Sequence, residues 1–375
     1  MHFFVLGNPE NRRVTLFSES YEASGFGKTS ILSYLDVLKN NALKETDFSG
    51  SILRIESPGE NFEVRKLLIA KGAPEAQKLK LPFISVEAAM QLKGDGSEII
   101  HSRQWYLGFK ALLNEIGQNL EKYPTARVMN RPSDIALMFN KKDCQQHLKE
   151  HGVPVPDFYT SVTGYEQLLE LMNVQKLHKV FIKPAHASSA SGVIAFRIFG
   201  EKQQAVTTIE LKKEGDSVRL FNSLRVKTYT DKADIKTIIT KILSENAIIE
   251  KWISKATIGD YYFDLRVLVI AGQAKHMVVR KSKQVITNLH LGNKRGTLEE
   301  LEQVIGKEKL EEVKRIAEEA AGCFSGSLYC GVDVLVSADK KDMLVLEINA
   351  FGDLLPNVLY QNKSCYGAEI DAMMN

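Results

Sequence analysis

The segment GVDVLVSADKKDMLVLEINAF, from Gly331 to Phe351, carries three oxygen donors at spacings that bring them together. A turn over Ala338 to Asp342, centred on Lys340, makes it a hairpin of strands Gly331 to Val336 and Met343 to Ile348. Asp333 and Glu347 lie equally far from that centre, so they face each other across the two strands. Asn349, two residues further on, points to the same face, and Leu344, Leu346 and Ile348 point to the other. Such an oxygen set suits a hard octahedral cation whose shell is completed by phosphate and water. The plainer alternative is a solvated strand face. Opposed carboxylates repel unless a cation lies between them, which favours metal.

A second group of residues suits phosphate. Val180–Phe181–Ile182–Lys183–Pro184 places one lysine in an apolar strand. The loop after it, Ala185 to Ser191, holds only His, Ala and Ser. Small residues here, Ser188, Ser189, Ser191 and then Gly192 among them, let backbone N–H groups approach phosphate oxygens while Lys183 adds a point charge. Lys141, inside a helix that starts after Pro132, is a further candidate, although an exposed helix lysine is commonplace. Ile249 to Ile253 ends an apolar strand whose Glu250 and Lys251 backbone can bond an adenine edge while Trp252 and Ile253 wall the ring. On the next strand Asp264 is placed for ribose hydroxyls, and Arg266 and Arg280 for developing phosphoryl charge. Asn288–Leu289–His290 adds an amide and an imidazole.

The elements that position these residues follow from pattern. At 375 residues, with 44% hydrophobic and 25% charged residues, the chain can bury two or three cores. Residues 1–125 read as an α/β domain, with strands at His2 to Leu6, Ile31 to Leu38 and Ser51 to Ile55 and helices at Val64 to Lys71 and Gly108 to Leu120. Residues 126–248 contain a helix from Ser133 towards Gly152, a helix at Tyr165 to Met172, the Lys183 strand and added strands over 199–230. Residues 249–375 contain the strands Phe263 to Ile270 and Ala274 to Lys281, and the metal hairpin. Between them, the capping box Thr297-x-x-Glu300 opens an amphipathic helix running towards Gly322.

The net charge of +3 is too small to imply nucleic acid or a membrane surface as partner. Four cysteines at wide spacing match no zinc pattern and read as reduced thiols. No apolar run approaches the roughly 20 residues of a membrane span, so a cytoplasmic protein is expected.

The order of these segments resembles the ATP-grasp superfamily, most closely its RimK-like branch. The resemblance covers roughly 128–352: Asn130 and Lys141, Lys183–Pro184, Ser188 to Gly192, Glu250 to Ile253, Asp264 and Arg266, Arg280, Asn288 to Gly292, Asp333, then Glu347 with Asn349. It implies two α+β lobes clasping ATP behind a small α/β domain. Lys141 and Lys183 would hold phosphates, Glu250 to Ile253 adenine, and Asp264 ribose. Arg280 and Asn288, with Arg266, would serve the γ-phosphate and an acyl-phosphate. Asp333, Glu347 and Asn349 would hold magnesium, or manganese in its place. The implied reaction phosphorylates a small-molecule or peptide carboxylate and passes the acyl group to an amine, under a Ser-rich lid. A phosphotransferase and a non-catalytic ATP-binding module remain open, as does a homo-oligomer. The chain departs from the RimK-like pattern at HASSASG, NLHLGN and AFGDLLP, so glutamate as the added group is not carried over.

Other signals are weaker. Gly25 to Ser30 imitates the end of a Walker A loop but has Glu22 where its first Gly belongs. His147 and His151 share a helix face without a zincin glutamate, and surface exposure is expected. His186 is expected to be solvated, with substrate contact as its functional alternative. Gly7 to Arg13 and Arg103 to Tyr106 are candidates for an acceptor pocket, with turn chemistry and core packing as the alternatives.

Overall fold

The computed structural model describes residues 2–94, 96–187, 190–215, 217–287 and 292–374. It is a mixed α/β architecture built on three sheets. The first is parallel, in the order Ser30–Ser33, His2–Gly7, Ser51–Ile55, Arg127–Val128. Ser51–Ile55 is buried along its whole length, as expected of a strand covered on both faces. Helices Phe62–Lys78 and Ser102–Leu120 pack against this sheet and cross at glycines: a Cβ on Gly108 would lie 1.9 Å from the Leu68 carbonyl oxygen. Only the absence of side chains permits that approach.

The run Ile31 to Leu38 is not one strand. Ser30–Ser33 pairs with His2–Gly7, and then the Ser33 side chain accepts the Asp36 N–H and starts helix Tyr34–Asn40. An N-cap serine before apolar residues at helical spacing overrides β propensity. The helix expected from Ser133 to Gly152 also divides, into Pro132–Met138 and Lys141–Glu150, because Asn140 caps the second piece through the Lys142 N–H. Lys141 therefore stands at a helix start, not inside a helix. Likewise the Thr297–Glu300 capping box forms, but Gly306, at φ +82°, separates Leu298–Ile305 from Lys307–Gly322.

The second sheet is antiparallel, in the order Phe158–Tyr159, Ala247–Lys251, Lys179–Pro184, Ile194–Phe199, Lys202–Glu214, Ser217–Tyr229. Helices Tyr165–Val174 and Lys232–Ser244 cover it, and their Leu168, Met172, Ile235 and Ile239 fill one core with Val180, Ile182 and Phe196. Residues 199–230 do become two added strands.

In the third sheet, Lys294–Gly296, Gln273–Ser282, Tyr261–Ile270, Tyr329–Val336 and Met343–Asn349 follow in order, with Thr257–Ile258 also on Tyr261–Ile270. Its apolar face joins Lys307–Gly322 in a larger core. That core also takes in Ile135, Cys144 and Leu148, and residues of the first sheet.

The first and third units are joined by buried charge. Arg54, fully buried, donates to Glu56 at 2.6 Å, to Glu369 at 2.7 Å and to Asp353, and its guanidinium lies 4.3 Å from the Phe17 ring centre. Nothing in the spacing of these residues announces the cluster. Among the described residues no helix is long and apolar enough to cross a membrane. All four cysteines are free thiols.

Candidate active site

A cavity of about 510 Å³ opens between the second and third sheets, closed on one side by Asn11, Arg12 and Arg13. Lys183 pairs in register with Ile248, so Glu250 is its diagonal neighbour on the same face; Lys183 Nζ lies 2.5 Å from Glu250 Oε2. Lys141 is carried in by the capped helix start. Its N–H donates to the Ala185 carbonyl, and its Nζ reaches the Ala187 carbonyl and lies 3.0 Å from Glu347 Oε1. Both predicted phosphate lysines thus converge on the loop that follows strand Lys179–Pro184.

That loop turns at Gly192, φ +71°, where a Cβ would stand 2.8 Å from Pro184 Cγ. Ser191 lines the cavity while Gly192 shapes the turn behind it. Ser188 and Ser189 lie outside the described residues, and the lid expectation rests on them. Asn288, with Leu289 and His290, also lies outside.

On the third sheet, strand register does the positioning. Asp264 is directly opposite Arg280, and Arg266 directly opposite Asp333. Arg266 Nε donates to Asp333 Oδ1 at 2.5 Å, and Arg280 bridges the two acids, 2.6 Å from Asp264 Oδ1 and 3.2 Å from Asp333 Oδ2. Lys255 adds a bond of 2.6 Å to Asp264 Oδ2, which Thr287 also donates to. Burial alone would raise the Asp264 carboxyl; the Arg280 and Lys255 charges outweigh it and hold it down to about 2. Burial likewise works against Asp333, and Arg266 and Arg280 bring it below the usual range. Both acids stay ionised, and their guanidinium partners stay fixed.

The metal hairpin forms with Asp333 opposite Glu347, as the symmetric turn predicts, and Asn349 opposite Gly331. A bulge follows, because Val334 pairs with Val345 and leaves Leu346 over. Leu346 consequently lines the cavity beside Glu347 instead of facing away with Ile348, and Gln145 takes its free carbonyl at 2.8 Å. The repulsion argument for a metal also changes: Arg266 and Lys141 already neutralise Asp333 and Glu347. What fits a hard cation is the donor set itself, two carboxylates and an amide oxygen at one cavity wall.

Other expectations move. Trp252 does not wall the cavity: it packs on Phe181 with ring centres 5.0 Å apart, under Lys179, and faces a separate groove beside Phe199. The strand ends at Lys251, so Trp252 lies beyond it and strand alternation no longer sets its direction. Phe181, Leu335 and Leu346 join Ile253 as the apolar walls. Asp264 has both oxygens bonded to protein donors, as Asp333 has, so a ribose at Asp264, like a cation at Asp333, would have to displace one of them. His186 is neither solvated nor at the cavity. Its ring is buried and stacks on Tyr106 at 4.0 Å and 7°, and desolvation lowers it to about 3. His147 is half-buried, bonded to the Cys323 carbonyl at 2.9 Å, and only His151 is exposed. Asn130 clamps the Tyr329 and Ala350 backbone away from the cavity. Trp105 packs against Phe109 and Phe139, the bland alternative, whereas Arg12 and Arg13 do line the cavity.

Lys255 and Thr287 were not foreseen. Lys255 follows the hinge without a motif, and Thr287 precedes the Asn-Leu-His sequence; neither type is unusual in a loop.

Two sheets closing on a cavity lined by facing lysines and a carboxylate hairpin define an ATP-grasp fold. The YheC/D-like ATP-grasp family model matches residues 135–351, more than half of the chain, and the chain belongs to that family. No curated protein matches by sequence. Among solved structures the chain is similar to the ATP-grasp ligase PsnB complexed with a minimal precursor, at 15% identity, covering 100% of this chain and 99% of that one with a TM-score of 0.54. It is also similar to the D-cycloserine synthetase DcsG, at 11% identity, 99% of each chain and a TM-score of 0.56. D-alanine–D-alanine ligase from Bacillus anthracis gives 13% identity, 100% and 96% coverage and a TM-score of 0.53. At such identities the likeness is one of fold.

Proposed function

We propose that the chain is a MgATP-dependent carboxylate–amine ligase, working through an acyl-phosphate and releasing ADP and phosphate. The reading rests on one observation: Lys183 from the second sheet and Lys141 from a capped helix start share one cavity with Arg266 and Arg280 of the third sheet. Lys141 and Lys183, now held by Glu347 and Glu250, would exchange those partners for nucleotide phosphates. Phe181, Ile253 and Leu335 would wall the adenine, with the Glu250 to Lys251 backbone at its edge. Asp333, Glu347 and Asn349 would hold magnesium, which neutralises phosphate charge when bound. Arg266 and Arg280, fixed by Asp333 and Asp264, are rigid cations for charge that develops during transfer.

In this reading residues 126–248 and 249–375 are the two nucleotide lobes and 1–125 the domain that closes the acceptor side. PsnB and D-alanine–D-alanine ligase, described as ligases, share the fold and support ligation as the class. Incubating the full chain with MgATP, a panel of carboxylic acids and hydroxylamine should give ADP and a hydroxamate. ADP with a stable phosphorylated product and no hydroxamate would establish a phosphotransferase instead, and AMP with pyrophosphate would sink both.

A further inference from the structure

The basic side chains of the cavity fall into two sets. Lys141, Lys183, Lys255, Arg266 and Arg280 each pair with a carboxylate of the cavity wall. Arg13 is paired as well, with Asp353 at 2.7 Å. Arg12 and Arg295 also line the cavity, yet among the described residues no carboxylate is bonded to either. Among the described residues Arg295 donates to the Pro356 carbonyl, at 2.8 Å.

Their placement matters more than their number. Arg295 stands directly opposite Arg280 across strands Lys294–Gly296 and Gln273–Ser282, and both line the cavity. Like charges in directly opposed positions destabilise a sheet. Arg280 is neutralised by Asp264 and Asp333, so the uncompensated charge is that of Arg295. Arg12 begins helix Arg12–Ala23, next to the Arg13 that grips Asp353. Arg295 is thus bonded to the segment 351–356, which follows Asn349, and Arg12 lines the same cavity; both side chains are exposed and neither has a carboxylate partner among the described residues. Glu60 lines the same end and is bonded to neither. Guanidiniums left without a carboxylate partner at a cavity wall are suited to a bidentate anion supplied by the ligand.

We infer that the substrate at this end carries a second anionic group, beyond the carboxylate to be activated, and that Arg12 and Arg295 receive it. This rests on the ligase reading for the first carboxylate only; the anion site itself is independent of it.

The test uses succinate and butyrate, which have the same carbon count and differ by one carboxylate. Each is titrated by calorimetry into the full chain, with and without MgAMPPNP. Succinate should bind at least about tenfold tighter than butyrate, the worth of one charge-assisted hydrogen bond. Arg12→Gln and Arg295→Gln should each remove most of that advantage, and Arg315→Gln, on an exposed helix, should retain it. 3-Phosphonopropionate, run in parallel, distinguishes the source: tighter binding than succinate with the same arginine dependence marks the second group as phosphoryl, equal or weaker binding as a carboxylate. If succinate binds no tighter than butyrate, or its advantage survives in both variants, the inference is wrong. Failure of MgAMPPNP to bind would sink the ligase reading alone, because the nucleotide-free titration still scores the anion site.

Discussion

Two networks of charge meet near residue 353, and they differ in what surrounds them. Around Arg54, the carboxylates of Glu56, Asp353 and Glu369 are sealed with no exposure, and burial raises Glu56 and raises Glu369 strongly. Around Arg280 the carboxylates are as ionised as the cations that hold them, and Glu347 is 26% exposed to the cavity. The sealed network has no route to exchange a partner. It can only fix the first sheet to the C-terminal segment. In the open one the pair that solvent reaches is Lys141 with Glu347, and that pair can exchange partners. Ion pairs are therefore no guide to function until one asks which of them face a cavity.

The largest effect should come from breaking the sealed side. Arg54→Ala leaves Glu56 and Glu369 without their cation in a dry site, with Asp353 held by Arg13 alone, and should lower stability by about 3–5 kcal/mol, measured by urea denaturation. A loss under about 1 kcal/mol would mean that water reaches the cluster, and the contrast between the networks would collapse.

The cavity side should respond in affinity. Lys141→Met should weaken MgATP binding by roughly 10- to 150-fold, with stability changed by less than about 1 kcal/mol because Glu347 can be rehydrated. Lys183→Met sharpens the comparison. Its partner Glu250 is 3% exposed, so this variant should lose similar affinity and also about 1–3 kcal/mol of stability. Calorimetric MgATP titration beside urea melts separates the two; equal stability losses in both variants would contradict the assignment of open and closed pairs.

How much of this was legible depends on whether local order or tertiary contact does the work. Asp333 opposite Glu347 was readable because hairpin symmetry is a property of a short segment. The bulge at Leu346 was not, since it depends on Gln145 and Pro154 taking the freed backbone groups from another element. Ser33 and Asn140 are ordinary cap residues, and each was passed over because the apolar pattern continued on both sides of it. An aromatic beside a hinge suggests a base, but Trp252 stands past the strand end at Lys251, and tertiary packing on Phe181 sets its direction. Nothing local in the sequence marks Arg54, Glu56 and Asp353 as buried. Only the packing of the first sheet against the C-terminal segment buries them.

His186 lies between the two networks: it belongs to the phosphate loop but is sealed like Arg54. Desolvation, then a hydrogen bond to the Phe139 carbonyl that opposes it, then the nearby charge of Lys141 set its value, and the result is about 3 against 6.5 for a free imidazole. A depressed folded value means the unfolded chain takes up a proton that the folded chain refuses. Stability from this group is thus complete above pH 6.5 and is lost as pH falls towards 3. From about pH 7 to pH 5 the loss should be near 2 kcal/mol. His186→Phe keeps the ring stacked on Tyr106 and removes the titration, so urea melts of the variant should show that much less acid sensitivity than the parent chain. Parallel pH profiles would place His186 in contact with water, and the phosphate loop would then belong to the open network along its whole length.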